Sequence, residues 1–337
     1  MTTKVLETRE PLISAYTSYG SIFSLMEDRL WPWVYNNFIQ IRFAPNWRIY
    51  TFDHHPILLK NCPGIAFHSL PQEMVVQTGK TLKQIIIDAI DMGYYLYIFV
   101  DRYYIPQSDS YQKEQHIHEL FIFGYDLERD VAFVADNLQN GKFVQTSCPF
   151  VELEKGYWTI PADFDFWTEV RFLKRKADYE CKLNLENIAA SIESYLHSRK
   201  TFDLVEEQEC EFGLESLDRL LDYVGNPELA GHYLDIRPFH FLYEHKLLMA
   251  TRTKYLMEQE RVAFDQSLLG QSINLEKQYM YLRNLVLKYN VKRDQALRDS
   301  IYQKLENNLG EERQFLSALL RHIQSNEAEG VVAGNGL

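Results

Sequence analysis

Cysteine is scarce in this chain: Cys62, Cys148, Cys181 and Cys210 are the four among 337 residues, and none stands in a CxxC pair. That excludes a zinc knuckle, a redox dithiol and a disulfide-dense secreted scaffold. Base is short as well. The 35 Lys and Arg against 47 Asp and Glu leave a net charge of −12, with no basic cluster, so nucleic acid is not expected as a partner. No apolar run approaches the ~18 residues of a spanning helix. The opening MTTKVLETREPLIS lacks the apolar core of a signal peptide. No membrane association is expected, and the cytoplasm is the expected compartment. The 15 glycines are scattered, and GxxxxGK[ST], HExxH and GxSxG are all absent. Neither a cofactor nor a metal is therefore expected. His54-His55 beside Asp53 reads as a solvated turn, because adjacent residues in extended chain point to opposite faces.

Aromatic residues, in contrast, are abundant at 14%, and broad aromatic packing is the simplest use for them. The texture changes along the chain. Residues 1–175 mix β-rich runs with a few helices, residues 176–326 read as helical, and residues 327–337 read as a disordered tail. In the first part Ser21 to Leu30 reads as a helix, anchored by Trp31-Pro32-Trp33, and Trp47 to Phe52 as a strand. Leu82, Ile85, Ile86, Ala89 and Ile90 share one helix face, closed by Gly93. Tyr94 to Asp101, Glu119 to Tyr125 and Val131 to Ala135 read as strands, the last two joined as a hairpin by residues 126–130. Lys142 to Thr146 and Tyr157 to Ile160 are further strand expectations. In the second part Asn226-Pro227 and Arg237-Pro238 punctuate helices. The acidic run Glu206 to Glu209 reads as a solvated linker. Leu316, Leu319, Leu320 and Ile323 form an apolar stripe. Leu275, Tyr279, Leu282, Val286 and Tyr289 form a heptad-like seam that needs a partner helix, in this chain or in a second copy. The reading leans to a homodimer.

One block carries chemistry: His116-Ile-His118-Glu-Leu-Phe-Ile-Phe-Gly-Tyr-Asp126, then Val131-Ala-Phe-Val-Ala-Asp136-Asn137. In an antiparallel hairpin the start of one strand lies beside the end of the next, so His118 and Asp136 are expected to be neighbours. A carboxylate on one ring nitrogen fixes the tautomer and leaves the other nitrogen as a general base. A purely structural His–Asp pair satisfies the same spacing.

HELFIFGYD followed by VAFVADN, with YYLYIFVDRYYIP before it, resembles the His-strand-turn-strand-Asp block of papain-like cysteine peptidases, in the branch of the butirosin biosynthesis protein H N-terminal family. FGLESLDRLL and RPFHFLYEHKLL resemble the region that follows that domain. The resemblance implies an α+β fold: a papain-like N-terminal domain, an antiparallel sheet with an N-terminal helix, followed by an α-helical bundle. It implies transfer of an acyl group from an acyl or peptidyl carrier protein thioester to a small amine acceptor, with His118 as base and Asp136 as its orienter. The family's nucleophilic Cys has no counterpart in Tyr16-Thr-Ser-Tyr-Gly-Ser-Ile-Phe-Ser-Leu-Met26. Tyr19-Gly20 aligns most simply with the family's Cys-Gly, which puts Tyr19 at the thiol position. A shift of a residue or two offers Ser18 or Ser21, and helix capping is the ordinary use of serine there. Cys62, in Asn-Cys-Pro-Gly, reads as a small buried hydrophobe. Three functions follow: acyl transfer, with Ser18 or Ser21 replacing the thiol or with direct attack by the amine; a catalytically inactive relative that binds a carrier protein or synthetase as a scaffold; or peptidase activity, for which an unassisted Ser is a weak nucleophile.

Overall fold

The computed structural model describes residues 2–161, 168–201, 209–230, 232–259 and 265–334. In chain order the elements begin with β1 (Thr3–Val5), α1 (Thr17–Ser24), α2 (Trp31–Asn37), β2 (Ile41–Ala44), β3 (Ile49–Phe52), α3 (Leu58–Asn61), β4 (Ile65–Leu70) and α4 (Gln72–Gln77). Next come α5 (Leu82–Asp91), β5 (Tyr95–Asp101), β6 (Ile117–Asp126), β7 (Val131–Gln139), β8 (Lys142–Pro149), α6 (Phe150–Trp158) and β9 (Val170–Arg175). The rest is α7 (Leu185–Leu196), β10 (Glu211–Phe212), α8 (Gly213–Gly225), α9 (Pro227–Ala230), α10 (Ile236–Gln259), α11 (Gln266–Lys292) and α12 (Gln295–Gly334). This is a mixed α+β chain with a helical C-terminal region.

Two compact units emerge, each built from two stretches: Met1–Leu30 with Ile57–Cys181, and Trp31–Pro56 with Lys182–Leu337. A single break at 175 thus misses the 31–56 segment, which belongs with the helical unit.

In the first unit a seven-stranded sheet runs β4-β9-β5-β6-β7-β8, with β1 also on β6. All pairings are antiparallel. One face is aliphatic: Leu96, Ile98, Val100, Leu120, Ile122 and Val134 pack with Ile86 and Ile90 of α5 and with Leu153 and Tyr157 of α6. Helix α5 forms as its periodicity predicts. Thr81 and Gln84 make a capping box, all five periodic residues are buried, and Gly93 follows in the left-handed region at φ 80°. Rings fill other sheet positions, with Tyr95 stacked on Phe121 at 5.6 Å and Phe123 on Phe133 at 6.3 Å.

Two expectations change here. Tyr157 to Ile160 is no strand: Phe150, Leu153 and Tyr157 lie on the buried face of α6, which begins directly after Pro149. The first helix starts at Thr17 rather than Ser21, after an extended Tyr16. Trp31-Pro32-Trp33 opens α2 of the other unit, as suits a proline in a first helical turn.

The second unit carries a small sheet, β10-β2-β3. A single carboxylate ties four of its helices together. Buried Glu312 of α12 accepts from Lys246 of α10, Tyr195 of α7 and, at 2.7 Å, Tyr279 of α11. Lys246 also donates to His245 Nδ1 at 2.9 Å, while His245 Nε2 donates to the Ile39 carbonyl at 2.8 Å. A buried ion pair so fully hydrogen-bonded fixes which helix surfaces meet. A small cavity beside it is lined by Met249, Ser272, Leu275, Phe315 and Leu316. The seam Leu275, Tyr279, Leu282, Val286 and Tyr289 is buried within this chain, against α10 and α12. Its partner helices are therefore internal. Backbone helix continues through residues 327–334, where a disordered tail was expected, and residues 335–337 lie outside the described residues. Of the acidic run, residues 206–208 also lie outside them. No helix among the described residues is long and apolar enough to cross a membrane.

Candidate functional site

Strand β6 begins where β5 ends, with Asp101 opposite Ile117 and Val100 opposite His118. Strand β7 returns beside β6, with Phe121 opposite Ala135. Hairpin geometry therefore brings His118 Nδ1 to 3.2 Å from Asp136 Oδ1, as the spacing predicts. His118 is partly exposed and Asp136 is fully buried.

Three further residues, none of them singled out by sequence, complete the site. Arg102 lies in a single 3-10 turn (Arg102–Tyr104) that Asp101 caps. Its guanidinium grips Asp136 with both branches, Nε to Oδ2 at 2.9 Å and Nη2 to Oδ1 at 2.6 Å. Thr17, the first residue of α1, donates from Oγ1 to Asp136 Oδ1, and the same hydroxyl lies 2.8 Å from Asn137 Oδ1. The Asn137 amide nitrogen donates to the carbonyls of Ser14 and Gly141, both at 2.9 Å, pinning the segment before α1 to the end of β7. The Asn137 backbone N–H adds a 2.6 Å bond to Asp136. Burial pushes the Asp136 carboxyl up. The hydrogen bond and charge of His118, then those of Arg102, outweigh burial and hold it below the usual aspartate value.

The carboxylate thus orients His118 through Nδ1. Arg102 and the ring share that carboxylate. The neighbouring His116 ring stands 5.3 Å from His118. Partial burial first, then the charges of Arg102 and His118, lower its titration.

Ser18 and Ser21 do not take the expected capping role. Neither caps α1: Tyr16 holds the N-cap position and makes no side-chain capping bond to the helix. Ser21 Oγ donates to the Thr17 carbonyl at 2.6 Å, one turn back. Ser18 Oγ is buried with no hydrogen-bond partner. No hydrogen bond joins either serine to His118 among the described residues. Thr17, not a serine, is the helix-start hydroxyl that meets the dyad. Gly20 brings α1 down onto β8, where an added Cβ would meet the Phe143 ring at 2.5 Å.

Cys62 and Cys148 are no substitutes for the missing thiol: burial pushes both up to about 12, far from a thiolate at neutral pH. His54 is not in a solvated turn. It is fully buried in the helical unit, edge-on to Phe38 at 4.3 Å and near Trp33 and Phe52. No cluster of three His, Cys, Asp or Glu that could hold a metal occurs among the described residues.

Compared with known proteins, the chain matches no family model, and no curated protein matches it.

Proposed function

We propose that the first unit is a papain-like acyl-transfer module in which His118 serves as base for an attacking amine and no acyl group is parked on the chain. Support comes from one observation: His118 is tethered through Nδ1 to Asp136, while the hydroxyls of Thr17 and Ser21 are committed to other acceptors and the buried Ser18 hydroxyl makes no hydrogen bond to His118 among the described residues. The placement of the α1 N-terminus beside the strands bearing His118 and Asp136 is the arrangement the papain-like resemblance calls for.

In the proposed step the amine nitrogen attacks the thioester carbonyl and Nε2 takes the amine proton. The C–S bond then breaks, and the carrier thiolate leaves and takes that proton back. The donor already carries a good leaving group, so orientation and proton removal suffice. The acyl donor, an acyl or peptidyl carrier protein, and the small amine acceptor come from the family resemblance.

The test is intact-mass spectrometry with acyl-loaded carrier protein and an amine pool. Amide product is expected with the wild type. His118→Ala should lower its rate by ~10²–10⁴-fold, and Ser18→Ala/Ser21→Ala should retain it. An acyl adduct on Ser18 or Ser21 would overturn the direct route.

A second reading, a scaffold without chemistry, is favoured by Arg102, which neutralises the carboxylate an imidazolium would need. Carrier binding without turnover under every condition would establish it.

A further inference from the structure

We propose that the outward face of α11 docks an acidic amphipathic helix of a partner protein. This inference stands independently of the acyl-transfer reading.

The inner face of α11 carries the buried seam. On the opposite side Ile273, Met280, Leu287 and Val291 are 36%, 38%, 48% and 83% exposed. At ~100° per residue these four fall within an arc of about 40°, a single stripe some 27 Å long at ~1.5 Å per residue. Single exposed apolar residues need no explanation, whereas an aligned row of them marks an interaction surface.

The rim is positive. Lys277, Lys288 and Lys292 are exposed along one edge. Beyond that edge Lys304 of α12 covers the Tyr281 ring at 5.0 Å. Arg283 flanks the other edge beside Glu276, with its guanidinium over the Tyr243 ring of α10 at 5.1 Å. The acids nearby are Glu276 and Glu311, and Glu311 accepts from Gln278 at 2.9 Å. Bases therefore outnumber acids around the stripe on a chain whose net charge is −12. An apolar row with a basic border complements a helix with an apolar row and an acidic border. An antiparallel second copy fits poorly. Antiparallel self-pairing of the stripe sets each edge against its own equivalent, placing lysine opposite lysine.

The experiment uses the full chain and two fluorescein-labelled designed helical peptides, each three heptads long with leucine at a and d. One carries glutamate and the other lysine at the flanking positions. Fluorescence anisotropy should show the acidic peptide binding at least tenfold tighter, with affinity falling as salt rises. Met280→Asp/Leu287→Asp should weaken binding at least tenfold, and Lys277→Glu/Lys288→Glu/Lys292→Glu should invert the preference. All these positions are exposed, so melting temperatures should stay at the wild-type value. If the aspartate variant melts early, the lysine variant decides through its preference alone. Equal affinity for both peptides would overturn the proposal. So would a wild-type dimer in sedimentation that the aspartate variant dissociates, because a second copy would then cover the face.

Discussion

Asp136 and His54 show what burial does to two side chains whose chemistry invites a catalytic or metal reading. Asp136 pays its desolvation cost through Arg102, Thr17, His118 and a backbone N–H, and so stays ionised. His54 has no such partners: both ring nitrogens are buried without a hydrogen bond. Burial first, then the charges of His55 and Arg42, lower it from 6.5 to about 3. The fold therefore holds His54 neutral while the unfolded chain takes up a proton near its ordinary value. Its contribution is fully present above about pH 6.5 and is lost as pH falls from there toward about 3. His54→Phe keeps a ring among Phe38, Trp33 and Phe52 and removes two unsatisfied polar atoms. It should stabilise the chain by about 1 kcal/mol at neutral pH, with a larger gain in acid. Denaturant melts from pH 7 to 4 check this, and parallel stability curves for variant and wild type would contradict it.

At the scale of elements, Gly124 explains the glycine inside HELFIFGYD. Strand β1 pairs alongside β6 with Val5 opposite Gly124. An added Cβ would stand 2.7 Å from the Lys4 carbonyl oxygen and 3.0 Å from Val5 Cα. Backbone cannot swing aside as a side-chain tip can, so β1 must lift off the sheet. Gly124→Ala should cost about 1–3 kcal/mol, measured as a shifted denaturation midpoint. The penalty should shrink in a chain lacking residues 1–6. An equal penalty in both backgrounds would show that β1 is not its source. Elements that carry their own signal were legible, as with α5 and its capping box. Helix α6 shows the same buried spacing, Phe150, Leu153 and Tyr157, yet its end was read as a strand because a short aromatic run suits either state.

Across the whole molecule the units interleave in sequence. Arg252 of α10 is fully buried, donating to the carbonyls of Tyr35 at 2.8 Å and Phe38 at 2.6 Å, at the end of α2. Those are the orphan carbonyls every helix C-terminus leaves. Here a residue more than two hundred positions away satisfies them. A fragment spanning residues 176–326, the helical domain that texture suggests, loses α2, β2 and β3 and buries Arg252 against nothing. It should lack a cooperative thermal transition by circular dichroism, whereas the same fragment supplemented with a 31–56 peptide should regain one. A cooperative melt of the fragment alone would overturn this account of the unit.

Local pattern alone determined the strand-turn-strand block and, through hairpin geometry, the meeting of His118 and Asp136. It also determined the helical texture after residue 176 and the buried face of α11, because periods of two and of 3.6 residues are written in neighbouring positions. Only tertiary structure decided the rest of the site. Thr17 reaches Asp136 because α1 begins at Thr17, four residues before the expected start at Ser21. Arg102 reaches it because β5 ends beside the start of β6, a pairing of strands that residue spacing does not state. The same holds for the 31–56 segment joining the helical unit and for Glu312 gathering three donors from three other helices. Contacts between distant stretches depend on which surfaces meet, and that is set by packing of the whole chain.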